Sequence, residues 1–129
     1  MRSFLQQAFV SHALSRPDLI LPVPMTPAGL RRRGYNQAWE LCRGLAPKIG
    51  GRESASFLRK VRSTPAQTIL LREERRRNLA GAFAVSPLAG ARVLLVDDVL
   101  TTGTTLEECT RTCLRAGAGS VEILVLARA

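Results

Sequence analysis

The stretch VLLVDDVLTTGTT, residues 93–105, decides the fold of this 129-residue chain. Its apolar start, rich in valine and leucine, is typical of a parallel strand that is buried on both faces. Helical spacing of apolar residues begins at Leu106, so residues 101–105 turn the chain from a strand into a helix. Such turns bind ligands in open α/β sheets, and the N-terminus of the helix favours a phosphate.

The segments around this stretch predict an α/β fold with one domain, residues 1–129, in which helices flank a mainly parallel sheet. The following helix carries a stripe of periodic residues, Leu106, Cys109, Thr110, Cys113 and Leu114. It ends at glycines 117 and 119, and residues 121–127 predict a further buried strand. The helix and its two strands therefore form a βαβ unit.

The chain before residue 93 predicts two short strands and one long helix. LILPVP at 19–24 and FLRKV at 57–61 have strand composition, and Gln37–Ile49 has helical spacing that ends at a Gly-Gly pair. Residues 3–15 also have a helical stripe, and residues 88–90 predict a turn. The polar, basic stretch 62–78 is typical of a flexible loop or lid.

Composition indicates a soluble protein with an anionic partner. Nineteen lysines and arginines stand against ten acidic residues, a net charge of +9, which favours a nucleic acid or a small phosphorylated ligand. The arginine clusters at 31–33 and 72–77 are either part of such a site or ordinary solvated surface. No apolar run approaches the roughly 18 residues of a membrane span, and no signal-peptide core is evident, so we expect a cytoplasmic protein.

Cysteine spacing favours packing over metal binding. Cys42, Cys109 and Cys113 form no CxxC pair, and the lone histidine is His12. Cys109 and Cys113 lie four residues apart on one helix face, so a metal pair remains an alternative. Buried, reduced thiols are the favoured interpretation, because a free cysteine packs as a small apolar residue.

Three other classes of phosphate-binding motif do not match the opening stretch. No Gly-Lys pair occurs, as a P-loop requires, and only Gly103 lies in this turn, where a dinucleotide fingerprint needs three glycines. A receiver domain would need a further aspartate at a later strand end, and the chain has none after Asp98. What remains is a strand, two acids and a threonine-glycine loop before a helix.

This combination resembles the signature of type I phosphoribosyltransferases, which bind phosphoribosyl pyrophosphate. Further segments resemble the ComF family, which is associated with natural competence and is similar to amidophosphoribosyltransferase domains. They are PVP at 22–24, RRRGYNQA at 31–38, Gln67, RRRN at 75–78 and GAF at 81–83. The resemblance covers roughly residues 18–128. Family members commonly begin with a cysteine-rich zinc module, which this sequence lacks.

The resemblance implies a role for each part of the site. Asp97 and Asp98 would hold the ribose hydroxyls, and Arg75 and Arg76 on the lid would assist catalysis. The 5′-phosphate would bind to the loop formed by Thr101, Thr102, Gly103, Thr104 and Thr105. The pyrophosphate would bind to Met25, Thr26, Arg31, Arg32 and Arg33. Mg²⁺ would be held mainly by the substrate, with no dedicated protein ligands.

The sequence leaves the acceptor and the catalytic competence open. We expect a phosphoribosyltransferase-like protein with a link to DNA uptake. The alternatives are a non-catalytic sensor of phosphoribosyl pyrophosphate or of a nucleotide, and a competence factor that binds single-stranded DNA. Competence proteins are further candidate partners, and a homodimer is a further alternative. Tyr35 is a candidate for stacking on a base.

Overall fold

The computed structural model describes residues 16–25, 30–32, 34, 36–43, 45–62, 80–100 and 103–128, without the side chains of 46, 98–100 and 126–128. In chain order the elements are β1 (Leu19–Pro22), α1 (Gln37–Cys42), α2 (Ala46–Ile49), β2 (Arg52–Glu53), β3 (Leu58–Lys60), β4 (Phe83–Val85), β5 (Arg92–Leu100), α3 (Thr104–Arg115) and β6 (Ser120–Arg128). The predicted helix 3–15 and all of the predicted loop 62–78 except Arg62, and with it Arg75 and Arg76, lie outside the described residues.

The main sheet is parallel, with the strand order β2-β1-β5-β6. The opening stretch supplies its central strand β5, which pairs with β1 on one side and with β6 on the other. The βαβ unit is confirmed, because α3 connects two neighbouring parallel strands. β6 ends the sheet as it is described, and Ile123 is 43% exposed, so the prediction that this strand is buried was only partly right.

Alternate residues of β5 pack into two different cores. Val93 and Leu95 contact the face of α3, together with Leu106 and the two cysteines of that helix. Leu94 and Val96 pack with α1 and α2 on the opposite face of the sheet. All four side chains are 0–2% exposed, which confirms a strand buried on both faces.

The predicted long helix 37–49 is two helices. α1 ends at Cys42 and α2 begins at Ala46, with Arg43 in an extended conformation between them. Pro47 is the physical reason, because its ring would clash with the carbonyl of Arg43 and it has no N–H to donate. Proline is tolerated in the first turn of a helix, and that is where α2 places it.

A second, antiparallel sheet consists of β3 and β4. Its apolar side chains Leu58 and Phe83 join the core on the α3 side of the main sheet. The strand predicted at 57–61 is confirmed over Leu58–Lys60, but β2 and β4 were not predicted. The turn at 88–90 is confirmed, with a bond of 2.9 Å from Ala91 N–H to the carbonyl of Leu88.

Cysteine burial agrees with the sequence. Cys42, Cys109 and Cys113 are free and buried. Leu114, which the periodic stripe of α3 included, is instead 50% exposed, since it lies at the margin of the buried face. Within the described part of the chain, no helix is long and apolar enough to cross a membrane.

Candidate functional site at the carboxyl edge of the sheet

The carboxyl ends of β1 and β5 meet at one edge of the sheet. Pro22 pairs with Val96 in the ladder, and the N–H of Val23 donates to the carbonyl of Val96 at 2.9 Å. β2 pairs only with Leu19 and Ile20, so Pro22 lies beyond that pairing and its missing N–H interrupts no described bond to β2. The chain after β1 therefore leaves the sheet beside the carboxyl end of β5.

A cavity of about 140 Å³ lies between these strand ends. Its walls are formed by Val23, Pro24, Met25, Asn36, Gln37, Ala38 and Asp97. Two of the predicted site residues, Met25 and Asp97, thus share one cavity although 72 positions separate them in the sequence. Parallel pairing of β1 with β5 brings them together.

Asp97 lies on the α3 side of the sheet. The pairing of β5 with β6 keeps the same offset from Val96–Leu124 to Leu100–Arg128, so no bulge interrupts the alternation of side chains. Asp97 therefore shares the face of Leu95. The pKa of the Cys109 thiol on α3 is raised mainly by burial, then by Cys113, and further by the charge of Asp97. The side chain of Asp98 lies outside the described residues.

Gly103 begins α3 in a left-handed conformation, with φ 80° and ψ −2°. A glycine adopts this conformation without the penalty that a Cβ atom carries, which explains the residue type at this position. Gly103 is the N-cap and gives the first turn no side-chain hydrogen bond. The first turn therefore receives from this residue no side-chain acceptor that would compete with an anionic ligand. Thr104 is 2% exposed and Thr105 is half-buried.

Two other predicted pyrophosphate residues are described, and they lie outside the walls of this cavity. Arg31 and Arg32 are exposed and are not among the described residues that line the cavity. The remaining predicted residues, Thr26, Arg33, Thr101 and Thr102, lie outside the described residues.

Asn36 is a structural residue of the site that the sequence analysis did not single out. Its Oδ1 caps α1 by accepting from the N–H groups of Ala38 at 2.9 Å and Trp39 at 3.3 Å. Its Nδ2 donates to the carbonyl of Val23 at 3.2 Å. One side chain thus fastens the start of α1 to the chain leaving β1. An asparagine directly before a helical pattern is the signal that identifies such a cap.

A second, larger cavity of about 610 Å³ adjoins the first. The two cavities share Pro24, Met25 and Asn36 as walls. The larger one extends to Trp39 on α1 and to β3. This cavity was not predicted from the sequence, because the walls of the cavity come from segments far apart in the chain.

Comparison with known proteins now identifies the family. The phosphoribosyl transferase domain matches residues 28–129. The chain belongs to this family. It is 37% identical over 131 residues to the DNA utilization protein YhgH of Salmonella typhimurium, covering 98% of this chain and 58% of that protein. It is 36% identical over 123 residues to Competence protein F of Haemophilus influenzae, covering 92% of this chain and 54% of that protein.

These relatives confirm the resemblance to the ComF family, and the chain spans little more than half of their length. Among solved structures, glutamine phosphoribosylpyrophosphate amidotransferase of B. subtilis superposes with a TM-score of 0.61. It has 20% sequence identity, and the match covers 97% of this chain and 26% of that one. This likeness confirms the type I phosphoribosyltransferase fold.

Proposed function

We propose that this domain binds phosphoribosyl pyrophosphate with Mg²⁺ at the carboxyl edge of the sheet and transfers its phosphoribosyl group to an acceptor. One observation carries the proposal. The cavity that contains Asp97 is also lined by the chain leaving β1 and lies at the strand end that leads to the glycine-capped helix α3. A phosphate site and a carboxylate at one strand end fit a phosphorylated sugar.

The 5′-phosphate binds at the N-terminus of α3. The helix dipole contributes about 0.3–1 kcal/mol, and up to about 2 kcal/mol when the charge is partly buried. Charge-assisted hydrogen bonds from the backbone and from the threonine hydroxyls contribute about 1.5–3 kcal/mol each, so they supply most of the affinity. Thr101, Thr102, Thr104 and Thr105 are the proposed hydroxyl donors.

Asp97 accepts hydrogen bonds from the ribose hydroxyls. Successive strand residues face opposite sides of a sheet, so Asp98 joins Asp97 on the ribose only if the chain bends at this position. The described residues contain no group of three or more histidine, cysteine, aspartate or glutamate side chains that would hold a metal alone. Asp97 would give Mg²⁺ one carboxylate, and Mg²⁺ usually binds through substrate phosphates and water with one or two carboxylates. When bound, the cation neutralises charge on the pyrophosphate. Asp97 is the described carboxylate that lines the cavity, and it would contact the cation there.

The transfer itself is a displacement at C1′ of the ribose. A lone pair of the acceptor forms the new bond to C1′ while the bond from C1′ to the pyrophosphate oxygen breaks, and its electron pair leaves with the pyrophosphate. The protein orients the two partners and excludes water. Met25, beside Asp97, places the chain leaving β1 against the departing group, and Thr26, Arg31, Arg32 and Arg33 follow in the same segment. Arg75 and Arg76 are proposed to close over it.

Calorimetry with phosphoribosyl pyrophosphate and Mg²⁺ tests the proposal. We expect saturable binding that Asp97→Asn weakens, because the amide is a poorer acceptor for the ribose hydroxyls. Asp18→Asn is the matched control, since Asp18 lies beside the start of β5, where its carboxylate accepts from the N–H of Arg92 at 2.8 Å. Absence of binding, or an equal effect of both variants, refutes the proposal. Pyrophosphate release in the presence of candidate acceptors then separates an enzyme from a sensor.

A second candidate function is the binding of single-stranded DNA during its uptake or use. Two observations favour it. The net charge is +9, and the relatives are named as a DNA utilization protein and a competence protein. Exposed arginines at 31, 32, 59 and 62 would contact the phosphates. A gel shift over a salt series tests this function, since affinity must fall steeply as salt rises.

The three buried free thiols fit a role in the reducing cytoplasm.

A further inference from the structure

The larger cavity has the size and lining of a small-molecule site. Its volume of about 610 Å³ lies within the range of roughly 300–1,000 Å³ that is typical of ligand pockets. Most of its walls are apolar, with a few polar side chains among them. The apolar lining consists of Pro24, Met25, Leu30, Gly34, Trp39, Ala55, Leu58 and Val61.

Large apolar side chains are exposed at this cavity to an unusual degree. Four large apolar side chains of the described residues are well exposed, and two of them, Leu30 at 42% and Val61 at 58%, line the cavity. Trp39 is half-buried, and the cap by Asn36 fixes the first turn of its helix. A tryptophan ring beside exposed aliphatic side chains suits the flat face of an aromatic compound.

The charged side chains of the cavity favour an anion. Arg59 and Lys60 on β3 line it, and Glu40 is the single carboxylate among the walls that the structure describes. Glu40 already forms an ion pair with Arg43 at 3.3 Å. The ammonium of Lys60 lies 5.8 Å from the ring centre of Phe83. Burial lowers the pKa of Lys60; the Cys109 thiol partly opposes this shift and the nearby Arg62 adds to it. A half-buried cation of this kind is stabilised by a negative charge on a ligand.

We propose that this cavity binds the acceptor of the transfer, and that the acceptor is a planar aromatic compound with a carboxylate. The inference rests on the function proposed above, because the shared walls Pro24, Met25 and Asn36 place this compound beside the phosphoribosyl site. Its ring packs on Trp39 and its carboxylate pairs with Lys60. Its nucleophilic atom then gives a lone pair to C1′, pyrophosphate leaves with the electron pair of the broken bond, and any proton on the nucleophile passes to water.

Fluorescence provides a direct test that does not depend on activity, since Trp39 is the single tryptophan of the chain. The probes are two matched pairs, nicotinate against nicotinamide and orotate against uracil. Each pair differs in the carboxylate. We expect both acids to change the emission of Trp39 and to bind at least about tenfold more tightly than their neutral counterparts. Calorimetry with the same four compounds corrects for their absorbance.

Lysine variants assign the preference to one side chain. The sequence contains two lysines, Lys48 and Lys60, and Lys48 lies in the last turn of α2, outside the cavity walls. Lys60→Met should bring the acid-to-neutral ratio close to one and leave the affinity for nicotinamide unchanged. Lys60→Arg should restore part of the ratio, and Lys48→Met should keep all of it. A general loss of folding would lower all four affinities together, so the ratio separates the two effects.

The outcomes distinguish this inference from the proposed function. If neither acid binds more tightly than its neutral partner, or if Lys48→Met and Lys60→Met act alike, the inference is overturned while binding of phosphoribosyl pyrophosphate stands by itself. If the acids bind but phosphoribosyl pyrophosphate does not, both the acceptor role and the proposed function fail. If a single-stranded oligonucleotide quenches Trp39 at lower concentration than either acid, the cavity is a nucleic-acid site instead.

Discussion

Substitution of Asn36 by alanine tests whether the start of α1 and the exit of β1 depend on one side chain. Asn36 accepts two hydrogen bonds at the start of α1 and donates one to the carbonyl of Val23. Alanine removes all three bonds. Because Asn36 lines both cavities, the substitution should also loosen the wall that they share.

The magnitude follows from the bonds that are lost. Loss of an N-cap costs about 0.5–2 kcal/mol, and loss of a hydrogen bond to a part-buried carbonyl costs about 0.5–1.5 kcal/mol. We therefore expect Asn36→Ala to lower the free energy of unfolding by about 1–3.5 kcal/mol. Asn36→Asp keeps an oxygen that caps the helix and loses only the donor to Val23, so its loss should be the smaller of the two.

Urea unfolding followed by far-UV circular dichroism measures these differences without relying on the nearby Trp39. Ser54→Ala is the control, because the Ser54 hydroxyl also accepts a local backbone bond, from Ser56 N–H at 3.3 Å, in an exposed loop. Its effect should stay within about 0.5 kcal/mol. The reasoning is refuted if Asn36→Ala matches this control, or if Asn36→Asp is as unstable as Asn36→Ala.

Three further predictions concern backbone strain, thiol reactivity and pH. Gly103 and Gly90 have nearly equal φ angles, 80° and 81°. Substitution of either by alanine should therefore lower the free energy of unfolding by about 1–2 kcal/mol. Only Gly103→Ala should also weaken phosphate binding in calorimetry. Burial raises the pKa of Cys113 to about 11, so at pH 8 roughly one Cys113 thiol in a thousand is ionised. A thiol reagent should therefore label the native protein far more slowly than the urea-unfolded chain. Equal labelling rates would contradict this burial. Hydrogen bonds from Arg92 hold the pKa of Asp18 below its usual 3.8. In urea unfolding, the stability that wild type has over Asp18→Asn should therefore be complete above about pH 5 and decline as the pH falls through and below 3.8. A difference that persists under strongly acid conditions would count against this assignment.

The central βαβ unit was predictable because its signals are local. The apolar run of β5 and the glycine at its end identify a strand, a turn and a helix within about 23 residues. Parallel pairing then requires the carboxyl ends of neighbouring strands to lie at one edge, which brings Met25 beside Asp97. The break at Pro47 also had a local signal, since a proline inside a helical pattern ends or kinks a helix. The regular spacing of the apolar residues nevertheless favoured one continuous helix.

The larger cavity was not predictable, because its walls depend on pairing between distant segments. β3 pairs with β4 across more than 20 intervening residues, and no periodicity in either strand specifies its partner. Trp39 lies off the buried face that Ala38, Leu41 and Cys42 define, so a helical pattern records it as an ordinary flank residue. The role of Trp39 depends on the residues of β3 that line the same cavity, and only the fold brings them together.

The shared wall between the two cavities follows from the order of the strands. β1 lies beside β5, so the chain leaving β1 must pass the carboxylate end of β5 before it turns into α1. Pro24 fixes one backbone dihedral of this passage, and Asn36 bonds it to the start of α1. Pro24 and Met25 of this passage line both the cavity of Asp97 and the cavity of Trp39. A ligand held in one cavity contacts residues that shape the other, which is the arrangement that a displacement reaction between two bound partners requires.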